Sequence, residues 1–459
     1  MKYIPLIHQK MMIDHLLITM QAAMFAGMGL GKTGAVLEAF IQLKAAGKTT
    51  GMLVVAPLRV SVITWFDEVA KWDRTKSLRI VSLRTKEGMQ AFREGSADIY
   101  TINYESLPRV CAQLFKGCRK LPFDTIVLDE LDNCKNPKSV RVRELRKHIH
   151  KIPRRWGMTG TPVSNNYLDL FAQIRVLDDG KRFGKFFGRW RDTYFINTTP
   201  FAPYPTFELS PLAEGKLEDK VSDMAIVLSS EKYLKIPPVR VVDIPVALPP
   251  HAKKIYMALE KVLIAKLEGT KEAVAVNAAV LVTKLLQVTS GAIYATDEDD
   301  PNERTVEQIH GNKIKALKGL AKTHKGESLL VFCQYVHERD RILKAFPEAE
   351  LFKNDTVARW NAGKIKMLVS HPKPVGHGLN IQFGGHIAVW FSLGYSRALY
   401  DQANARLARF GQTHETIIYR LACAGLIDDA VIGNLERKDK KSRDFLNTIT
   451  NIKRLRKTR

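Results

Sequence analysis

Short runs rich in β-branched and other apolar residues alternate along the chain with longer stretches whose apolar positions recur at helical spacing. In the first half the runs are MLVVAP (52 to 57), LRIVSL (78 to 83), DIYTINY (98 to 104), DTIVLD (124 to 129) and RRWGMTG (154 to 160). Such runs read as buried strands, and the patterns between them as the crossovers of parallel βαβ units. One crossover, SVITWFDEVAKW, carries Trp65 and Trp72 at core-facing positions, so both are expected to be packing residues. A second α/β series follows at SLLVFCQY (328 to 335), IKMLVS (365 to 370) and HIAVWFS (386 to 392), after helical stretches and an acidic loop, DEDDPNE (297 to 303).

Between the two series, residues 196 to 250 gather Pro200, Pro203, Pro205, Pro211, Pro237, Pro238, Pro245, Pro249 and Pro250, a composition that suits a connector more than a lobe interior. At one domain per roughly 150 residues, the 459-residue length also implies two or three domains. The pattern therefore predicts an α/β protein of two lobes, 1–242 and 243–459, each a mostly parallel sheet flanked by helices, with a helical and proline-rich connector.

Lys and Arg number 71 against 47 Asp and Glu, and a net charge of +24 favours a polyanionic partner without establishing one. The last stretch, from Arg437, is itself basic and reads as a solvated tail or a backbone-tracking arm. The cysteines Cys111, Cys118, Cys134, Cys333 and Cys423 are odd in number and form no C-x-x-C pair, so neither a disulfide framework nor a zinc site is expected. Asp14, His15 and Gln21 interrupt the apolar stretch from Met11 to Phe25, and no charged-then-apolar pattern with a small-residue cleavage site marks it as a leader. The expectation is a cytoplasmic protein with no membrane span.

Chemistry enters at AGMGLGKT (26 to 33), which follows the phosphate-loop pattern G-x-x-x-x-G-K-[ST] with Ala26 in the first glycine position. A strand at QAAMF and a helix at TGAVLEAFIQL would place Ala26, Gly27, Met28, Gly29, Leu30 and Gly31 at a helix N-terminus suited to phosphates. Lys32 is positioned for the β and γ phosphates, and the Thr33 hydroxyl for Mg²⁺. The next motif, IVLDELD (126 to 132), ends an apolar strand in two carboxylates. Strand alternation sends them in different directions, so Asp129 is assigned to the metal and Glu130 to the base that activates water. The pair of motifs predicts a nucleotide hydrolase using ATP and Mg²⁺.

The ordered set of motifs resembles the superfamily 2 helicase-like ATPases, specifically the Swi/Snf-related subgroup in a compact, phage-type form, and the likeness spans nearly the whole chain. It implies two tandem RecA-like lobes. IPLIHQKMMIDHLL resembles the opening segment that reads adenine, through Gln9. LVVAPLRVSVITWFDEVAKW and TINYESL resemble segments that line the nucleic-acid track, which implicates Pro57, Arg59, Asn103 and Tyr104. FDTIVLDELDNCKNPKS is similar to the acidic box, and MTGTPVSNNYLDLF to the coupling element with Thr159, Gly160 and Thr161. In the second lobe, LLVFCQY, GHGLNI and YDQANARLARFGQ resemble later elements. These implicate Gln334 and Asn380 on the nucleic acid, Gly378 at the nucleotide, and Gln402, Arg406 and Arg409 in catalysis. Arg406 and Arg409, three apart, are expected on one helical face, where guanidinium forks suit the charge of a transferring phosphoryl group.

Two departures stand out. Asp132 occupies the position where the family has His, and Leu131 the position of a small residue. The reading that follows is a monomeric ATP-dependent motor moving on duplex DNA in replication, recombination or repair, with a nuclease or replication protein as partner. The alternatives are a strand-separating superfamily 2 helicase acting on DNA or RNA, and a nucleic-acid-binding adaptor without turnover.

Overall fold

The computed structural model describes the chain apart from residues 115–120, 161–166, 201–204, 229–232, 235, 269–273, 297–303, 354, 376–379 and 437–459. Thr161, Gly378, Cys118, the acidic loop and the basic tail lie outside the described residues. The chain divides into two compact units, Met1–Lys235 and Ile236–Arg459.

In the first unit each apolar run becomes a strand: β1 (Gln21–Ala26), β2 (Met52–Ala56), β3 (Ile80–Ser82), β4 (Ile99–Asn103), β5 (Thr125–Asp129) and β6 (Arg154–Thr159). A small antiparallel hairpin, β7 (Phe195–Asn197) and β8 (Phe207–Leu209), and a last strand, β9 (Ala225–Leu228), follow. The sheet order is β3-β4-β2-β5-β6-β1-β9, and every pairing is parallel. Strands β2, β4, β5 and β6 are buried at every position, the condition under which a parallel strand is apolar throughout rather than alternating. Helices α1 (Ile7–Ile18), α2 (Lys32–Ala45) and α3 (Trp65–Lys71) are among those covering it.

Strand β9 corrects the reading of residues 196 to 250 as connector. It pairs with β1 from Ala23↔Ala225 to Ala26↔Leu228, and so belongs to the lobe itself.

The second unit holds β10 (Val239–Pro245), the antiparallel hairpin β11 (Ala292–Thr296) and β12 (Arg304–Gln308), and then β13 (Leu329–Phe332), β14 (Glu350–Leu351), β15 (Met367–Ser370), β16 (Ile387–Trp390) and β17 (Thr416–Ala422). Its main sheet runs β10-β17-β16-β13-β15-β14, again all parallel. Because β10 pairs with β17 along its whole length, the division falls after Lys235 rather than after residue 242. Beneath this sheet Lys313, 1% exposed, forms an ion pair with Asp428 at 2.9 Å. The same carboxylate accepts from the Thr289 hydroxyl and the Cys423 N–H, so its desolvation is offset by three donors.

Cys111, Cys134, Cys333 and Cys423 are buried thiols, and burial pushes each of them up to about 12. Among the described residues no helix is long and apolar enough to cross a membrane.

Candidate nucleotide site

Register assembles the site. Strand β6 lies between β5 and β1, pairing Asp129 with Met158 on one side and Phe25 with Thr159 on the other. The carboxyl ends of three neighbouring strands thus bring the acidic pair, Thr159 and the start of the phosphate loop to one edge of the sheet, where ligands of open α/β folds bind.

The loop turns through two left-handed glycines, Gly29 at φ 81° and Gly31 at φ 74°. A side chain at Gly31 would be strained at this positive φ, and its Cβ would displace the Gln9 amide. Gln9 belongs to α1, accepts from the Leu6 N–H at 2.9 Å and donates to the Leu30 carbonyl at 3.4 Å, so it is held against the loop. Lys32 and Thr33 open α2, and the Lys32 ammonium donates to the carbonyls of Ala26 at 2.8 Å and Gly27 at 3.2 Å. The Gly27 N–H donates to the Leu228 carbonyl, so β9 braces the loop from outside. On the other flank, a Cβ on Gly160 would sit 3.6 Å from the Ala26 carbonyl and from Met28, which places Gly160 in contact range of the loop.

Asp129 is 6% exposed. Burial and the adjacent Glu130 hold its carboxyl above the usual carboxylate range, against the opposing pull of the Trp65 N–H and the Lys32 charge. Glu130 sits at φ 55°, ψ 63°, a strained conformation for a residue with a side chain. The strand ends at Asp129, so this left-handed step, rather than strand alternation, sets the course of the backbone at Glu130. Asn133 steadies it, giving both its backbone N–H and its Nδ2 to the Glu130 carbonyl at 3.0 Å. Leu131 is fully buried where only Gly157 leaves room, since a Cβ on Gly157 would come within 2.7 Å of the leucine methyl. Burial, with Glu130 adding to it, pushes Asp132 up to about 7.

Several assignments need correction. Trp65 is buried, but it is more than packing: its Nε1 donates to Asp129 Oδ2 at 3.0 Å. Trp72 is only half-buried, edge-on to Tyr3 and donating to Glu68. Tyr104 is fully buried, with its hydroxyl on the Asp129 carbonyl at 2.9 Å, and Asn103 is 4% exposed with Nδ2 on Glu105. Pro57 is buried as well, and Arg59 half-buried. Tyr104, Asn103 and Pro57, buried in this way, present little surface for direct contact with a nucleic acid, whereas Arg59 keeps part of its side chain exposed.

In the second unit the helix of the arginine element, Arg397–Asn404, stops before either arginine. Arg406, 9% exposed, and the half-buried Arg409 occupy successive tight turns instead of one helical face. Asn404 accepts from the Trp390 indole, and Gln412 donates to the Gln382 and Gly385 carbonyls at 3.0 Å, which folds the segment back after Gly411 at φ 95°. Gln402 is 8% exposed on that helix. Gln334 is half-buried, its N–H donating to Glu338 and Ser392, while Asn380 is exposed with its carbonyl accepting from Asn361. A concavity of about 420 Å³ in this unit, lined by residues including Asp243, Ala422 and Glu436, includes none of the predicted site residues. Arg420 already pairs with both Asp243 and Glu436 there.

Comparison with known proteins adds the following. A family described as SNF2-related domain matches residues 8–288. Protein p41 of Acyrthosiphon pisum secondary endosymbiont phage 1 is 33% identical over 456 residues, covering 96% of each chain. The human DNA annealing helicase and endonuclease ZRANB3 is 23% identical over 92% of this chain, which spans only 38% of that protein. Among solved structures, the Sulfolobus solfataricus SWI2/SNF2 ATPase core in complex with dsDNA aligns over 99% of this chain and 97% of its own, at 19% identity and a TM-score of 0.45.

Proposed function

The chain belongs to the SNF2-related family and is an ATPase, and from that premise we propose that it couples ATP hydrolysis to movement along duplex DNA. The observation that supports this most is the meeting of Lys32, Asp129 and Glu130 at one sheet edge, behind a loop of left-handed glycines. Backbone N–H groups of the loop and the Lys32 ammonium bind the phosphates, with Gln9 beside them for the adenine. Glu130, next to Asp129 on a left-handed turn, orients the attacking water and takes its proton. Arg406 and Arg409, carried by the second unit, are assigned the arginine-finger role, stabilising charge that develops on the transferring phosphoryl group.

The donor set fits Mg²⁺. The Thr33 hydroxyl and the Asp129 carboxylate are hard oxygen ligands, and an ion of this kind is held by one or two protein oxygens together with phosphates and water. When bound it would neutralise phosphate charge.

Nucleic acid as the partner is supported by the excess of basic residues and by the DNA named for the ZRANB3 relative. Arg59, Gln334 and Asn380 are the candidates for backbone contact. The phage relative supports a place in a bacterial host cell; replication, recombination or repair as the process, and a nuclease or replication protein as partner, are proposed from the resemblance alone.

The test is ATP hydrolysis measured alone, with single-stranded DNA, with duplex DNA and with RNA, beside triplex-displacement and strand-displacement assays. Stimulation by duplex DNA with triplex removal and no unwinding is expected. Efficient unwinding without triplex removal would replace this reading with that of a strand-separating helicase, and absence of hydrolysis under every condition would leave only an adaptor.

A further inference from the structure

Two segments named by the sequence for the nucleic-acid track each send a buried aromatic side chain to the same residue. Trp65, from the segment after β2, bonds the Asp129 carboxylate, and Tyr104, from the end of β4, bonds its backbone carbonyl. Trp65 reaches that position because the chain leaves Pro57 through a π-helical turn, Val60–Thr64, before α3 begins. The wider turn changes the facing of the residues that follow, and such turns recur at functional sites. Ser61 ties the turn back to Leu58 through its hydroxyl and to Pro57 through its N–H, and Trp65 itself is 0% exposed.

We infer that Trp65 is a positioning residue for Asp129, holding one carboxylate oxygen so that the group presents a fixed orientation to the metal–nucleotide complex. This rests on the nucleotide-site reading above. An indole N–H suits the task because it is a donor only, carried on a rigid ring locked by packing, and cannot swing to accept in its place. Without it, a buried carboxylate would lose the donor on Oδ2 and be free to rotate about its terminal torsion. Partners that orient a metal ligand in this way typically contribute roughly 10- to 100-fold in metal affinity or activity. The bond also makes the segment following β2 mechanically continuous with the nucleotide site.

The experiment replaces Trp65 in the full chain by two routes, Trp65→Phe and Trp65→3-benzothienylalanine, the second retaining ring size while deleting the N–H. Mn²⁺ binding to the ADP complex is counted from the free-ion EPR signal, ADP binding is measured without metal, and kcat and KM for ATP are compared. Both variants are expected to bind Mn²⁺ roughly ten-fold more weakly or worse. Metal-free ADP affinity should stay unchanged, and kcat should fall more than KM rises. Mn²⁺ affinity preserved in the benzothienyl variant would overturn the inference even if Trp65→Phe unfolds. If the wild-type chain shows neither metal-dependent ADP binding nor ATP hydrolysis, the nucleotide-site reading itself falls; if it shows both and the variants match it, only the role of Trp65 falls.

Discussion

The Tyr104 hydroxyl donates to the Asp129 carbonyl at 2.9 Å, across 25 residues of sequence and inside a fully buried pocket. A hydroxyl in that position is placed to stabilise the strand end, with no exposed surface to offer a nucleic acid. Tyr104→Phe is therefore expected to lower unfolding free energy by about 1–3 kcal/mol, because the buried carbonyl loses its donor. DNA affinity should remain within about two-fold of wild type, since a fully buried ring makes no phosphate contact. Denaturant unfolding and a fluorescence binding titration decide between this role and a direct contact.

Glu130→Gln keeps the shape of the acidic turn and removes the base. ATP and DNA binding should survive while turnover falls by about 100-fold or more. Normal hydrolysis in this variant would remove Glu130 from the mechanism.

Arg409→Ala should lower kcat on the order of 10³-fold while ATP affinity changes little, because a finger acts on charge that appears in the transition state. Stopped-flow nucleotide binding beside steady-state rates separates the two effects. The same measurement on Arg406→Ala shows which of the two tight-turn arginines carries the role.

Asp132 offers a pH test. Burial raises its folded-state pKa from the ordinary 3.8 to about 7, so ionising it costs more in the folded chain than in the unfolded one. Below the unfolded value both states are protonated and nothing is lost. As pH rises from there through about 7 the penalty grows, and above that it is complete. Asp132→Asn should thus match wild-type thermal stability near pH 4, where the chain stays folded, and exceed it by a few degrees at pH 8. A constant difference across that range would show that the carboxyl is not held in its raised state.

Lys313→Met leaves Asp428 charged and buried without its cation. A loss of about 3–5 kcal/mol is expected in urea unfolding of the full chain.

The phosphate loop and the acidic box were legible because each is a run of adjacent residues whose chemistry needs only local geometry. The parallel sheets were legible because a strand buried on both faces leaves an unbroken apolar run. The bond from Trp65 to Asp129 was not, since it joins residues 64 apart through a π-helical turn that no periodicity announces. Tyr104 carried no mark to distinguish a buried hydroxyl donor from a surface aromatic. Strand β9 escaped notice because AIVL is short, only Leu228 within it is buried, and prolines surround it. The basic helix expected at Arg406 and Arg409 ended early through contacts of Asn404 and Gln412 with distant segments, against which local propensity carries little weight.

Strand β9 has a practical consequence for dissecting the molecule. A fragment of the first unit cut anywhere before Ala225 would strip the partner from β1, leaving its main-chain donors and acceptors as an open template for other chains. It would also remove the carbonyl that anchors Gly27, so a shortened fragment that precipitates or fails to retain nucleotide would report a severed sheet, not an incompetent site.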